Sequence, residues 1–306
     1  MIGLVARRIG WALVVAWFAS TIAFALVTQL PSDPLESMLG PHATAETKER
    51  ARVHYCLDDG WLVQYGCWLD RMAHGDLGES YRTRRPVGEL IADRIVPTLE
   101  LAVAAIVLAL ALGAPLGVLA AVRRGRWQDR AVTLGGLVAQ SAPPFVVGTV
   151  LLWLLAYRFD VLPTSGYGGL RHLVLPAMTL ATASIAYYAR VVRTELADTL
   201  AADYVRTARA KGLPEHTVVL RHALRPALNP LLALVGVDLG VLLGGAVVTE
   251  AIFAWPGLGR EVLQAIIEVD TPLVVAVVFL ASMAIAVANL AVDLIGLWID
   301  HRTRRG

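Results

Sequence analysis

A carboxylate inside an apolar run is costly, so Asp238, in the middle of one such run, and Asp293, near the end of another with Asn289 a helical turn away, demand a chemical reason first. Two membrane aspartates can share a proton and hydrolyse a peptide bond, which makes an intramembrane aspartyl protease one reading. Asp238 can equally line a wet path, be satisfied by a neighbouring helix or backbone, or be protonated in place, and these readings stay open. The only two cysteines, Cys56 and Cys67, enclose ten residues; a disulfide between them contributes about 2–3 kcal/mol if unstrained. Reduced thiols are the alternative. Adding His54 and His74 makes four potential ligands but no compact ligand spacing, so no metal site is expected. No G-x-x-x-x-G-K-[ST] run exists to cradle a nucleotide phosphate, there is no H-E-x-x-H, and none of the seven histidines lies well inside an apolar run to serve a serine. Two aspartates at such positions are also what any polar-lined helix bundle shows, so the chain is expected not to be an enzyme and to hold no cofactor.

The elements that must position these residues are set by composition. With 57% hydrophobic residues, 17% charged and a mean hydropathy of +0.60, the 306 residues carry more apolar surface than a soluble domain uses, and an all-α membrane protein follows. Six spans are long enough to cross about 30 Å of hydrocarbon: 9–30, 99–122, 131–157, 173–192, 227–249 and 271–299. The fourth is the shortest, its uncharged core running over 17 residues from Leu173 to Ala189.

With the N-terminus inside, sixteen Lys and Arg fall on inner segments and three, Arg158, Arg171 and Arg260, on the short outer loops. The positive-inside rule then places both termini in the cytoplasm. Arg7, Arg8 and the small residues at Ala23 and Ala25 also resemble a cleavable signal, but 22 uncharged residues are long for one and suit a retained first helix. The expected organisation is residues 1–30 as N-terminus and first span, 31–97 as an extracytoplasmic segment, and 98–306 as a five-helix core with a cytoplasmic loop at 194–227. In the outer segment Trp61, Leu62, Tyr65, Trp68, Leu69 and Met72 recur at helical spacing, predicting an amphipathic helix that caps the membrane part.

Breakers inside spans carry further expectations. Pro143 and Pro144 must kink the third span or open its hydrogen-bond ladder. Gly236, Gly240 and Gly244 repeat every four residues around Asp238, a ridge that permits close helix approach or lines the path.

The inner loop holds the most distinctive run, DYVRTARAKGLPEHTVVLRHALRPAL. Asp203, Tyr204, Arg206, Thr207, Ala208, Arg209, Ala210 and Lys211 form a short basic helix, with Tyr204, Ala208 and Lys211 on one stripe. Gly212 ends it and Pro214 suits the first turn of a second helix. Docking to a cytoplasmic partner and contact with anionic lipid both fit these residues.

That run resembles the coupling-helix signature of binding-protein-dependent ABC importer permeases, in the RTARAKG form of the dipeptide, oligopeptide and nickel family. DPLESMLGPHAT, GDLGESYRTRRPVGELIADRIVPTLEL, GAPLGVLAAVRRGRWQDR, RHLVLPAMTLA and GGAVVTEAIFAWPGLGREVLQAI resemble the same family, in order along nearly the whole chain. The resemblance implies the ABC type I importer permease fold with an extracytoplasmic segment between helices 1 and 2, and the first of two permease subunits in a bacterial inner membrane. Implied partners are a second homologous permease, two cytoplasmic ABC ATPases that use ATP and Mg, an extracytoplasmic substrate-binding protein and membrane lipid; nucleic acid is not among them. Asp203 to Gly212 would dock on an ATPase, and Phe253, Trp255, Pro256 and Gly257 would stand at the outer mouth, the aromatics anchored at the interface. Di- or oligopeptides are the implied cargo, with nickel, glutathione, haem or another small solute as alternatives.

Overall fold

The computed structural model describes residues 2–29, 39, 44–54 and 60–299. Cys56 lies outside the described residues, and with it the Cys56–Cys67 pairing; so do the side chains of His54, Asn289 and Asp293 and the surroundings of Gly244. Regular structure among the described residues is helical: α1 (Ile2–Thr28), α2 (Ala45–His54), α3 (Trp61–Ala73), α4 (Val87–Val122), α5 (Trp127–Ser141), α6 (Pro144–Arg158, its last seven residues π-helical), α7 (Leu170–Leu200), α8 (Asp203–Ala210), α9 (Glu215–Ala227), α10 (Asn229–Gly245), α11 (Val247–Ile252), α12 (Leu258–Ile267) and α13 (Thr271–Ile299). A single antiparallel bridge, Glu79 to Pro86, is the one extended pairing described.

Three stretches, Ile9–Thr28, Val87–Val122 and Thr271–Ala288, are long and apolar enough to cross a membrane, and two bent pairs raise this to five if each is one span. The first pair, α5 and α6, turns through 107°. Pro143 has no N–H to continue the ladder and Pro144 sits in the first turn of α6, so the expected kink is a full corner. The second pair, α9 and Asn229–Leu242 of α10, bends by 45° at Leu228, ahead of Pro230. The remaining expected span, 173–192, lies within α7, which is continuous through Pro176 but carries Arg190, Arg193, Glu195 and Asp198 on its last turns and is not among the stretches that meet the length and apolarity test.

The chain divides into two compact units. One comprises residues 1–98 and 256–287. Its core sets Val27, Val87, Leu90 and Ile91 against Ala265, Val269, Leu273 and Val274. Asp270, fully buried ahead of α13, accepts hydrogen bonds from Ser80 Oγ at 2.5 Å and from the Tyr81 N–H at 3.1 Å. Nearby, the buried carboxylate of Glu261 is shared by Arg82 at 2.5 Å and Arg94 at 3.1 Å, and Arg82 also reaches Glu268 at 2.9 Å. A buried charge is tolerable only when paired in this way.

The other unit comprises 99–255 and 288–306. Its core sets Leu101, Ala102, Ala105 and Ala109 of α4 with Ala177, Ala181, Tyr188 and Val192 of α7. The small residues let the two helices touch. A Cβ on Gly113 would stand 2.8 Å from the Ile185 carbonyl oxygen, and one on Gly117 2.6 Å from that of Ala189. Glycine is required at both positions because the facing backbone occupies the space of a side chain.

Candidate functional site: the elbow from Asp203 to Ala227

α8 is eight residues long and has no side-chain cap, so it is held by what it packs on. Val205 and Ala208, one turn apart, are buried against Val218, Val219 and Ala223 of α9, Leu196 near the end of α7 and Ala121 of α4. The inward face is thus Val205 and Ala208. Tyr204 and Lys211, which share a helical stripe with Ala208, point to solvent, Tyr204 with half its surface exposed; Val205, and not the larger aromatic, makes the contact together with Ala208. Asp203, Tyr204, Arg206, Thr207, Ala210 and Lys211 remain exposed on the outer face, with Arg206 3.6 Å from Asp203.

Gly212 takes φ +76, a left-handed conformation that turns the chain without Cβ strain, and donates its N–H to the Arg209 carbonyl at 2.9 Å. Pro214 then accepts from the N–H groups of Thr217 and Val218 as α9 begins. Across this corner Arg209 makes a two-point ion pair with Glu215, at 2.8 and 3.1 Å, and donates to the Leu200 carbonyl at 3.3 Å. The hydrogen bonds to Glu215 push the Arg209 guanidinium above its ordinary value, so it stays charged at every physiological pH. Arg209 thus braces α8, α9 and the end of α7 together. Glu215, the brace's other half, falls on the second helix in the sequence, but no helical spacing relates it to a partner six residues away around a glycine corner.

A second brace stands one turn up α7 from Leu196. Arg193 pairs with both oxygens of Asp129, Nη2 to Oδ2 at 2.9 Å, and Asp129, almost wholly buried, also accepts the Gly125 N–H at 2.9 Å. This joins the start of α5 to the C-terminal part of α7. Its only trace in the sequence is a lone acid among Arg123, Arg124, Arg126 and Arg130.

The remaining predicted residues are spread elsewhere. Asp238 accepts a hydrogen bond from the fully buried Tyr188 hydroxyl at 2.8 Å, linking α10 to α7. Gly236 and Gly240 lie on α10 with it, Gly240 buried. Phe253 and Trp255 are 2% and 1% exposed; Trp255 meets the Tyr167 ring edge-on at 4.9 Å, and Phe253 packs with Ala156 and Leu175. Both aromatics are core residues, which corrects the expectation that they are anchored at the membrane interface. Pro256 and Gly257 precede α12, with Gly257 extended and Leu258 N–H donating to Thr98 Oγ1 at 2.8 Å. Among the described residues no cluster of three or more His, Cys, Asp or Glu is placed to hold a metal.

With its apolar helices and braced, solvent-facing elbow, this chain is a permease subunit of an ABC importer, as its relatives show. The chain belongs to the family "Binding-protein-dependent transport system inner membrane component", whose model matches residues 113–305, and the model for the N-terminal part of that membrane component matches 1–102. It is 37% identical over 304 residues to the glutathione transport system permease protein GsiC of Escherichia coli strain K12, covering 99% of both chains, and shares the same identity and coverage with GsiC of Salmonella choleraesuis strain SC-B67. Among solved structures it is similar to the inward-facing MetNI methionine ABC transporter (TM-score 0.57, 20% identity, 69% of this chain and 97% of that one). It is also similar to an amino acid ABC transporter crystallised with histidines (TM-score 0.53, 16% identity, 69% of this chain and 95% of that one). Both likenesses concern the fold. The chain is thus a multi-pass inner-membrane transport subunit and not an enzyme.

Proposed function

We propose that this permease carries short peptides or peptide-like solutes of the glutathione type, and that α8 with Gly212 is the element through which partner ATPases drive it. The observation that carries the coupling role is the elbow itself. A short helix presents Tyr204, Arg206, Thr207 and Lys211 outward while Val205, Ala208 and Arg209 lock it to α9 and α7. A push on the outer face is therefore transmitted to the ends of two long helices instead of being absorbed by a loose loop. The cargo reading is supported by the full-length similarity to glutathione permeases. In this scheme both termini and the 194–227 loop face the cytoplasm, a second permease completes the path, a binding protein delivers cargo outside, and ATP and Mg are used by two ATPase subunits.

In the complex reconstituted with its ATPases, second permease and binding protein, Gly212→Val, which forces a β-branched residue into φ +76, is expected to reduce substrate-stimulated ATP hydrolysis to the basal rate while assembly is retained. Stimulation equal to the native complex would refute the coupling role. Uptake of radiolabelled glutathione and dipeptides by the native complex tests the cargo; accumulation of nickel with no peptide uptake would refute it.

A further inference from the structure

We propose that α3 (Trp61–Ala73) is not part of a soluble cap but lies flat in the membrane interface, with its Leu62 and Leu69 flank against the acyl chains of the leaflet at the C-terminal end of α1. The inference rests only on α1 crossing the bilayer over Ile9–Thr28.

The height of attachment is the first observation. Tyr65 Oη lies 2.7 Å from Thr21 Oγ1, and the rings of Tyr65 and Trp68 stand 5.5 and 5.9 Å from that of Phe24, with Tyr65 and Trp68 stacked at 5.5 Å. Phe24 and Thr21 are four and seven residues before Thr28, which at 1.5 Å per residue puts them about 6 and 10 Å inside the end of the span. An amphipathic helix in the plane of a bilayer sits at about that depth, roughly 5–10 Å into the headgroup and acyl boundary. A water-exposed cap would instead meet α1 at or beyond its last residue.

The second observation is how the rest of α3 is distributed. Its α1-facing side is taken by Tyr65 and Trp68, with Trp61 and Met72 on the same side one turn before and one turn after them. At 100° per residue, Leu62 and Leu69 fall on one flank of that side, and Gln64 and Arg71 on the opposite flank. A helix lying beside a span with one apolar and one polar flank has one down side and one up side. Leu62 is 65% exposed and Trp61 56%. Asp70, on the side away from α1, keeps most of its side chain exposed. On α1 itself Ile22 and Leu26, off the Thr21 and Phe24 face, are also exposed apolar side chains, as expected of a span bordered by lipid.

Site-directed spin labelling of the full chain in liposomes, with Cys56 and Cys67 replaced by serine, tests this. The label at Leu62→Cys is expected to be relaxed several-fold more by oxygen, which concentrates in lipid, than by an aqueous nickel chelate. The label at Gln64→Cys, two residues away, is expected to show the reverse. Equal nickel accessibility at 62 and 64 would overturn the proposal in favour of a helix in water, and shielding of 62 from both relaxants would overturn it in favour of a protein cover. A second measurement leaves the native cysteines in place. Lipids brominated near the top of the acyl chain should quench a fluorescence component that disappears in Trp61→Phe, and identical quenching of the two proteins would sink the idea.

Discussion

Replacing Gly117 by alanine tests the way α4 is seated on α7. The added Cβ would lie 2.6 Å from the Ala189 carbonyl oxygen and 2.7 Å from the Val192 Cβ, with Val192 Cγ1 at 3.1 Å. Non-bonded carbons rest at about 3.5–4.0 Å, so the helices must part by roughly 1 Å or the backbone must bend. Two of the three blocking atoms are backbone or Cβ atoms that no rotamer change can move. Overpacking of this kind costs about 1–3 kcal/mol, and alanine returns up to about 1 kcal/mol over glycine as a helix former. With the full return the net is about 0–2 kcal/mol, up to a factor of roughly 30 in the folded-to-unfolded ratio. Gly136→Ala is the matched control: its Cβ would meet Ala186 Cβ at 3.6 Å, an ordinary contact on the same helix α7, and it should be neutral or slightly stabilising. Reversible unfolding in mixed micelles, followed by tryptophan fluorescence, reads both. If Gly117→Ala is no less stable than Gly136→Ala, α4 and α7 are not packed as described and the steric reasoning fails.

Two further outcomes are expected. Arg193→Met should cost about 3 kcal/mol in the same unfolding assay, the low end for an orphaned buried carboxylate because Arg193 is itself 31% exposed; Asp129→Leu with Arg193→Met should cost less than the sum of the two single changes, and strict additivity would refute the pairing. Ser80→Ala removes the hydroxyl donor to buried Asp270 and should cost about 1–3 kcal/mol, with faster proteolytic nicking between residues 76 and 86; unchanged nicking would show that the backbone donors suffice.

The membrane class and most helices were legible because hydropathy is a local property: α1, α4 and α13 coincide with long apolar runs, and Gly212 and Pro214 mark the elbow by their backbone constraints alone. The size of the corner at Pro143 was not, since a proline breaks a ladder without saying where the chain goes next. Residues paired across long separations were silent. Arg82 and Glu261 are 179 residues apart, and no periodicity relates them. Phe253 and Trp255 misled in the other direction: aromatic side chains suit both a membrane boundary and a tight core, and only the packing of Tyr167, Ala156 and Leu175 around them decides. At the elbow the helix, its stop and its restart were readable, whereas the Val205 contact and the Arg209–Glu215 brace needed the fold.

The discontinuity of the first unit has a consequence for how the protein is made. Residues 99–255 reach the ribosome exit as one stretch, and nearly all the packing partners of that unit are then present. Val27, Val87 and Leu90, with Arg82 and Arg94, emerge much earlier yet must wait for Ala265, Leu273 and Glu261, more than 160 residues later. During that interval two arginines and an apolar surface stand unmatched at the membrane, so completion of synthesis, not the emergence of the first helices, sets the moment at which this part of the molecule closes.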